Sequence, residues 1–143
     1  RRALRALAGL AGRKRALFDA GLANSRKAVR ELAAAGARIV AGTDAPIFPY
    51  GLSLVTELRA LKDAGLSGAA VLRSATADAA AAIGAADQLG RIAPGMLADL
   101  LIVAGDPLAD PLELARVELV FSNGVAGPRA TLPTLPAVAA QIP

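Results

Sequence analysis

The stretch Ala37-Arg38-Ile39-Val40-Ala41-Gly42-Thr43-Asp44 decides how this chain is read. It is a short, β-branched apolar run that ends in a carboxylate. Uninterrupted apolar character suits a strand buried on both faces, as in parallel sheets. On its N-terminal side, Leu22, Arg26, Val29, Leu32, Ala33 and Gly36 recur at the 3.6-residue spacing of an amphipathic helix. Asn24 or Ser25 is placed to cap that helix, and Gly36 to end it in a left-handed C-terminal cap. Residues 1–20 are expected to be helical as well, against the breaking tendency of Gly9, Gly12 and Gly21.

On its C-terminal side, Ala45 to Gly51 contains Pro46, Pro49 and Gly51 and is expected to form a loop. Leu52 to Ala64 then predicts a helix with Leu54, Leu58 and Leu61 on one face and Gly65 closing it. A further helix is expected from about Gly68 to Ile83, capped by Ser67 and ended by Gly84. Helix, strand, loop, helix is the rhythm of a βα-repeat protein. The character changes near Asp87, where Gly90 and Pro94-Gly95 bring turns. Leu100 to Val103 and Val117 to Phe121 predict strands, and Asn123-Gly124 is a strong hairpin dipeptide. From Pro128 onward prolines predict an extended or disordered tail. The expected division is 1–86 and 87–143.

Composition narrows the function classes. The chain has 143 residues, 55% of them hydrophobic, 3% aromatic and 20% charged, which is a globular balance rather than a disordered one. It has no cysteine, so disulfides, Cys-zinc sites and thiol nucleophiles are excluded. It has no histidine, which removes the commonest general base and metal ligand. The longest charge-free stretch is the 14 residues after Arg129, too short for a spanning helix, which needs roughly 20. No membrane partner is therefore expected. No charged-then-apolar leader marks secretion, which leaves a cytoplasmic location as the default. Met96 is the only methionine, and an opening of Arg-Arg-Ala-Leu points to a processed product or a fragment, the fragment being preferred.

Charge is uneven. Residues 1–38 hold ten basic side chains against Asp19 and Glu31, a net of +8, while the rest of the chain carries a net of −4. A basic stretch can bind phosphate backbones through counterion release. No row of aromatics accompanies these residues to stack on bases, so a solvated helical face is the preferred reading and nucleic acid is not an expected partner.

One feature carries chemistry, Gly42-Thr43-Asp44-Ala45 at the end of the predicted strand. In a parallel barrel, side chains at the C-terminal strand ends face the common site. Gly42 would let another group approach the backbone, and Thr43 could orient a carboxylate. An Asp there can ligate a divalent metal and accept a proton from water. It can equally cap the next loop or helix, and on spacing alone the two readings weigh the same.

The wider context shifts that balance. Ala-Gly-Thr-Asp-Ala-Pro (41–46), Gly-Leu-Ser-Leu and Thr-Glu-Leu (51–58), and Ala-Gly-Leu-Ser (64–67) follow one another in order. Leu-Arg-Ser-Ala-Thr (72–76), Leu-Gly-Arg-Ile-Ala-Pro-Gly (89–95), Ala-Asp-Leu-Leu-Ile-Val (98–103) and Gly-Asp-Pro-Leu (105–108) complete the series. From about Leu22 to Gly124 the series resembles the C-terminal part of metal-dependent amidohydrolases of the imidazolonepropionase and cyclic-amidase kind.

That resemblance implies an α/β fold: the end of a (β/α)8 TIM barrel over 1–86, followed over 87–143 by strands of a small composite β-sandwich. It implies hydrolysis of non-peptide carbon–nitrogen bonds in a small-molecule substrate such as a cyclic amide or imide. It also implies a divalent metal, zinc being the expected one. Asp44 matches the family's last-strand Asp, which would bind that metal, deprotonate the attacking water and pass the proton to the leaving nitrogen.

The departures are large. The family's His-x-His pair has no counterpart in this chain, so the isolated 143 residues are expected to be inactive. Val55 stands where many relatives carry a His. Association with another chain through unpaired strands is the expectation of the alternative, a structural remnant. Glu57, Thr76, Asp99, Asp106 and Asp110 are expected to be a surface or packing carboxylate, a local helix hydrogen bond and three turn residues. Asp99 in particular is expected to fix the turn after Pro94-Gly95. Ile47-Phe48-Pro49-Tyr50 could line a pocket or pack against the following helix.

Overall fold

A computed structural model describes residues 2–45, 47 and 51–127, with side chains from residue 12 onward. Pro46, Phe48, Pro49, Tyr50 and the proline-rich tail from Pro128 lie outside the described residues. Four helices, α1 (Arg2–Ala34), α2 (Leu52–Asp63), α3 (Gly68–Ser74) and α4 (Ala77–Ala82), precede three strands, β1 (Leu100–Val103), β2 (Val117–Ser122) and β3 (Val125–Gly127). A short 3-10 helix, Pro111–Ala115, lies between β1 and β2.

Glycines set the helix ends. Gly36, Gly65 and Gly84 take φ of +82°, +105° and +75°. Each donates its N–H to the carbonyl three residues back, and the next residue donates five back: Ala37 to Leu32, Leu66 to Leu61, Ala85 to Ala80. These pairs are Schellman caps, which satisfy the last carbonyls of a helix. Ser67 caps α3 by accepting from the Ala70 N–H at 3.2 Å.

Two helix expectations change. The predicted start at Asn24 or Ser25 is absent, because α1 is continuous through it, and Ser25 Oγ donates back to the Gly21 carbonyl at 3.0 Å. The single helix expected over 68–83 is broken into α3 and α4 at Ala75-Thr76. The Ser74 carbonyl at the end of α3 accepts from the Ala41 N–H of the preceding segment, and Thr76 sits at φ −129°, ψ −97°. Thr76 Oγ1 donates to the Leu72 carbonyl at 2.7 Å, the local bond expected of it.

The predicted strand over 37–44 is not a strand: 37–43 takes no regular secondary structure, and Asp44 turns left-handed at φ +48°. Among the described residues its stretch 38–43 makes one backbone hydrogen bond, Ala41 to Ser74, and no strand lies alongside it. A ladder needs a partner backbone on at least one edge. Leu100–Val103 and Val117–Ser122 do pair, antiparallel, with a bulge between Ile102 and Val103. β2 turns into β3 through Asn123 and Gly124 at φ +49° and +79°, the two positive φ angles of a type I′ hairpin.

The core forms where these elements converge. Leu58, Leu61, Leu66 and Val71 are buried, and Val29 and Ala33 of α1, Ile39 and Ala41 of the extended segment and Leu114 of the 3-10 helix pack on them. The buried face of α2 is Val55, Leu58 and Leu61 rather than Leu54, which stays exposed. Ion pairs brace the outside: Arg59 meets Asp63 at 2.9 Å and Asp110 at 3.6 Å, linking α2 to the 3-10 helix. Among the described residues, the part of α1 from 12 to 25 carries no such packing, and Leu17 and Phe18 are 75% and 71% exposed. Among the described residues, no helix is long and apolar enough to cross a membrane.

Candidate functional site

The extended segment delivers Asp44 to the mouth of a cavity of about 530 Å3. Gly42, Thr43 and Asp44 form one wall, and Leu52, Ser53, Thr56, Glu57 and Ala60 form the other. Those α2 residues fall one helical turn apart, so a single face of α2 looks at the end of the segment. Asp44 is a non-glycine residue at φ +48°, and its carbonyl accepts from the Ile47 N–H at 2.9 Å. A left-handed aspartate is uncommon, and such conformations gather at functional sites and tight turns.

Chemically the cavity is acidic. Asp44 and Glu57 both line it, and among the described residues no lysine or arginine does. Such a cavity favours a cation, or an electropositive part of a larger molecule. The hydroxyl of Thr56 is committed to the Leu52 and Ser53 carbonyls at 3.0 and 2.9 Å. No hydrogen bond joins Thr43 to the Asp44 carboxylate among the described residues, and nothing described lies within 4 Å of where a Cβ on Gly42 would be.

Glu57, expected to be a surface or packing carboxylate, is half-buried and lines the cavity. Arg59 is turned to Asp63 and Asp110, and Lys62 donates to the Leu108 carbonyl at 3.0 Å. The available signal was spacing: Glu57 sits one turn beyond Ser53 and beside Thr56, on one face of α2.

The other expected positions that the structure describes fall outside the cavity, while Phe48, Pro49 and Tyr50 lie outside the described residues. Val55 is buried in packing. Ile47 is 81% exposed and is not among the lining residues. Asp106 Oδ1 accepts from the Leu108 N–H at 2.9 Å and Asp110 Oδ1 from the Leu112 N–H at 3.0 Å, as turn residues do. Asp99 serves a different turn from the one expected. Its Oδ1 accepts from the Asn123 N–H at 2.6 Å and so holds the β2–β3 hairpin, because Ala98 and Asp99 lead into β1 directly beside that turn.

The donors present do not by themselves fit a metal ion. No group of three His, Cys, Asp or Glu side chains converges among the described residues. A structural or catalytic zinc site uses at least three protein ligands.

Comparison with known proteins places the chain. The profile of the amidohydrolase family matches residues 12–126, and the chain belongs to that family. Its fold is similar to that of a Xaa-Pro dipeptidase solved with methionine in its active site: TM-score 0.67, 30% identity, over 72% of this chain and 25% of that one. Molinate hydrolase gives a TM-score of 0.66 at 27% identity, over 80% of this chain and 28% of that one. Phenylurea hydrolase B gives 0.65 at 31% identity, over 80% and 29%. The chain thus spans between a quarter and three-tenths of the length of these hydrolases. Among curated proteins, no sequence matches it.

Proposed function

We propose that these 143 residues are the C-terminal part of a (β/α)8 amidohydrolase, with 1–86 closing the barrel and 87–143 adding to a β-sandwich. The proposed reaction is hydrolysis of a carbon–nitrogen bond, other than a peptide bond, in a small molecule. Asp44 is the proposed catalytic residue: its carboxylate takes a proton from the attacking water and returns it to the departing nitrogen. A positioned carboxylate acting in this way contributes on the order of 10²–10⁴-fold. The single observation that carries this reading is the place of Asp44, at the end of the extended segment and on the rim of an acidic cavity, in a chain of this family.

The family is generally metal-dependent. Coordination of zinc by Asp44 would need further ligands from other polypeptide, since this sequence has neither histidine nor cysteine. The likeness to hydrolases of molinate and of phenylureas supports the non-peptide substrate class. The likeness to a dipeptidase supports the competing one, a peptide bond to proline. A substrate panel of N-aryl ureas, cyclic imides and Xaa-Pro dipeptides separates the two. In a polypeptide that joins this chain to a complete barrel, Asp44→Asn should lower kcat at least about 10²-fold while leaving the unfolding midpoint in place. Turnover unchanged by that substitution would reduce Asp44 to a loop residue.

The alternative, a structural remnant that associates with another chain through unpaired strands, draws on the segment 38–43 and its lone backbone bond to the described fold. Under that reading the joined polypeptide hydrolyses nothing in the panel.

A further inference from the structure

A second cavity, of about 340 Å3, opens at the other end of the extended segment from Asp44. Arg38, Arg73 and Asp78 line it together with Ala33, Ile39, Leu66 and Ala70, which belong to the core or pack against it. Asp78, with a side chain only 21% exposed, is shared by both arginines: Arg73 Nε reaches Oδ2 at 3.3 Å and Arg38 Nε reaches Oδ1 at 3.9 Å. Neither arginine donates a hydrogen bond from its terminal nitrogens to any described residue.

We propose that this cavity binds a small organic monocarboxylate with a short aliphatic body. Two guanidinium groups against one carboxylate leave a net charge of +1, which one further carboxylate neutralises. A guanidinium presents its paired N–H donors in the geometry that a carboxylate accepts. Asp78 lies on the Nε side of each arginine, hydrogen-bonded to Arg73 and ion-paired with Arg38, so the terminal nitrogens stay available. The part-exposed Ala33, Ile39 and Ala70 supply what a bare inorganic anion would not use, a small apolar contact for the ligand's alkyl part. Arg38 leads into the extended segment, and both Arg73 and Asp78 flank the break between α3 and α4. An occupied site would therefore tie that break to the segment at a second place, in addition to the Ala41–Ser74 hydrogen bond. The proposal stands independently of any hydrolytic role for Asp44.

The test is a titration of the 143-residue chain with sodium isobutyrate and, separately, with inorganic phosphate, followed through the Nε–H resonances of arginine. Isobutyrate should give a saturable shift of the Arg38 and Arg73 signals, with a Kd in roughly the millimolar range, and phosphate should bind more weakly. Arg38→Gln and Arg73→Gln should each raise the isobutyrate Kd at least about tenfold. Arg13→Gln removes the same charge about 30 Å away along α1 and should leave the Kd unchanged. Both arginines of the cavity are more than half exposed, so neither substitution threatens folding. Absence of saturation, tighter binding of phosphate, or an equal loss in Arg13→Gln would each overturn the proposal.

Discussion

The centre of the molecule and the outer half of α1 are built from similar apolar residues and treat them in opposite ways. Around α2 and α3, Leu58 and Val71 are 1% and 0% exposed, Gly65 closes α2 and the Ser67 side chain caps the start of α3. Along α1 from residue 12 to residue 25, leucine and phenylalanine stand in solvent, whereas among the described residues Arg26 pairs with Asp63 and Val29 packs on the core. Apolar content alone thus does not place a residue in a core. What differs is whether another element approaches within reach. The middle of the chain has α1, the extended segment and the 3-10 helix on three sides, and the outer part of α1 has none among the described residues.

This contrast can be broken by substitution, with stability read from urea denaturation. The largest effect is expected at Leu58→Ala, which empties a fully enclosed site and should cost about 2–5 kcal/mol. A loss below about 1 kcal/mol would mean that the centre is loosely packed and no different from the arm. Gly68→Ala comes next, at about 1–3 kcal/mol, because a Cβ at the start of α3 would run into the Leu108 backbone. That result would show that the loop before the 3-10 helix is seated on α3 rather than lying loosely over it. Ser67→Ala, which removes the α3 cap, should cost about 1 kcal/mol. The smallest effect, within about 0.5 kcal/mol, is expected at Phe18→Ser on the arm. A loss there as large as that at Leu58 would erase the distinction and show that the arm is covered in solution.

Sequence reading did best where the cause is local. Gly36, Gly65 and Gly84 end helices because a left-handed residue is required there and glycine adopts it without penalty. Asn123-Gly124 turns a hairpin for the same reason, and Leu100–Val103 was legible from its β-branched and apolar run. The misses share a different cause. Val55 in place of Leu54 on the buried face of α2 depends on how the helix is rotated against its neighbours. The break at Thr76 coincides with a hydrogen bond between Ser74 and Ala41, residues far apart in sequence. Of the cavity beside Asp44, one wall was legible and the other was not. Asp44 ends a recognisable segment, whereas Glu57 joins it only because the loop returns α2 across the segment's end.

By itself, then, the sequence determined the helix ends, the hairpin and the carboxylate at residue 44, since each depends on a few adjacent residues and their allowed torsions. Its ordered motifs were also enough to indicate the amidohydrolase family. Only the tertiary structure decided that 37–44 forms no ladder with a described strand, that Glu57 shares a cavity with Asp44, and that two arginines meet on Asp78. Hydrogen-bond ladders and shared cavities are made between segments, so no local preference of either segment can specify them.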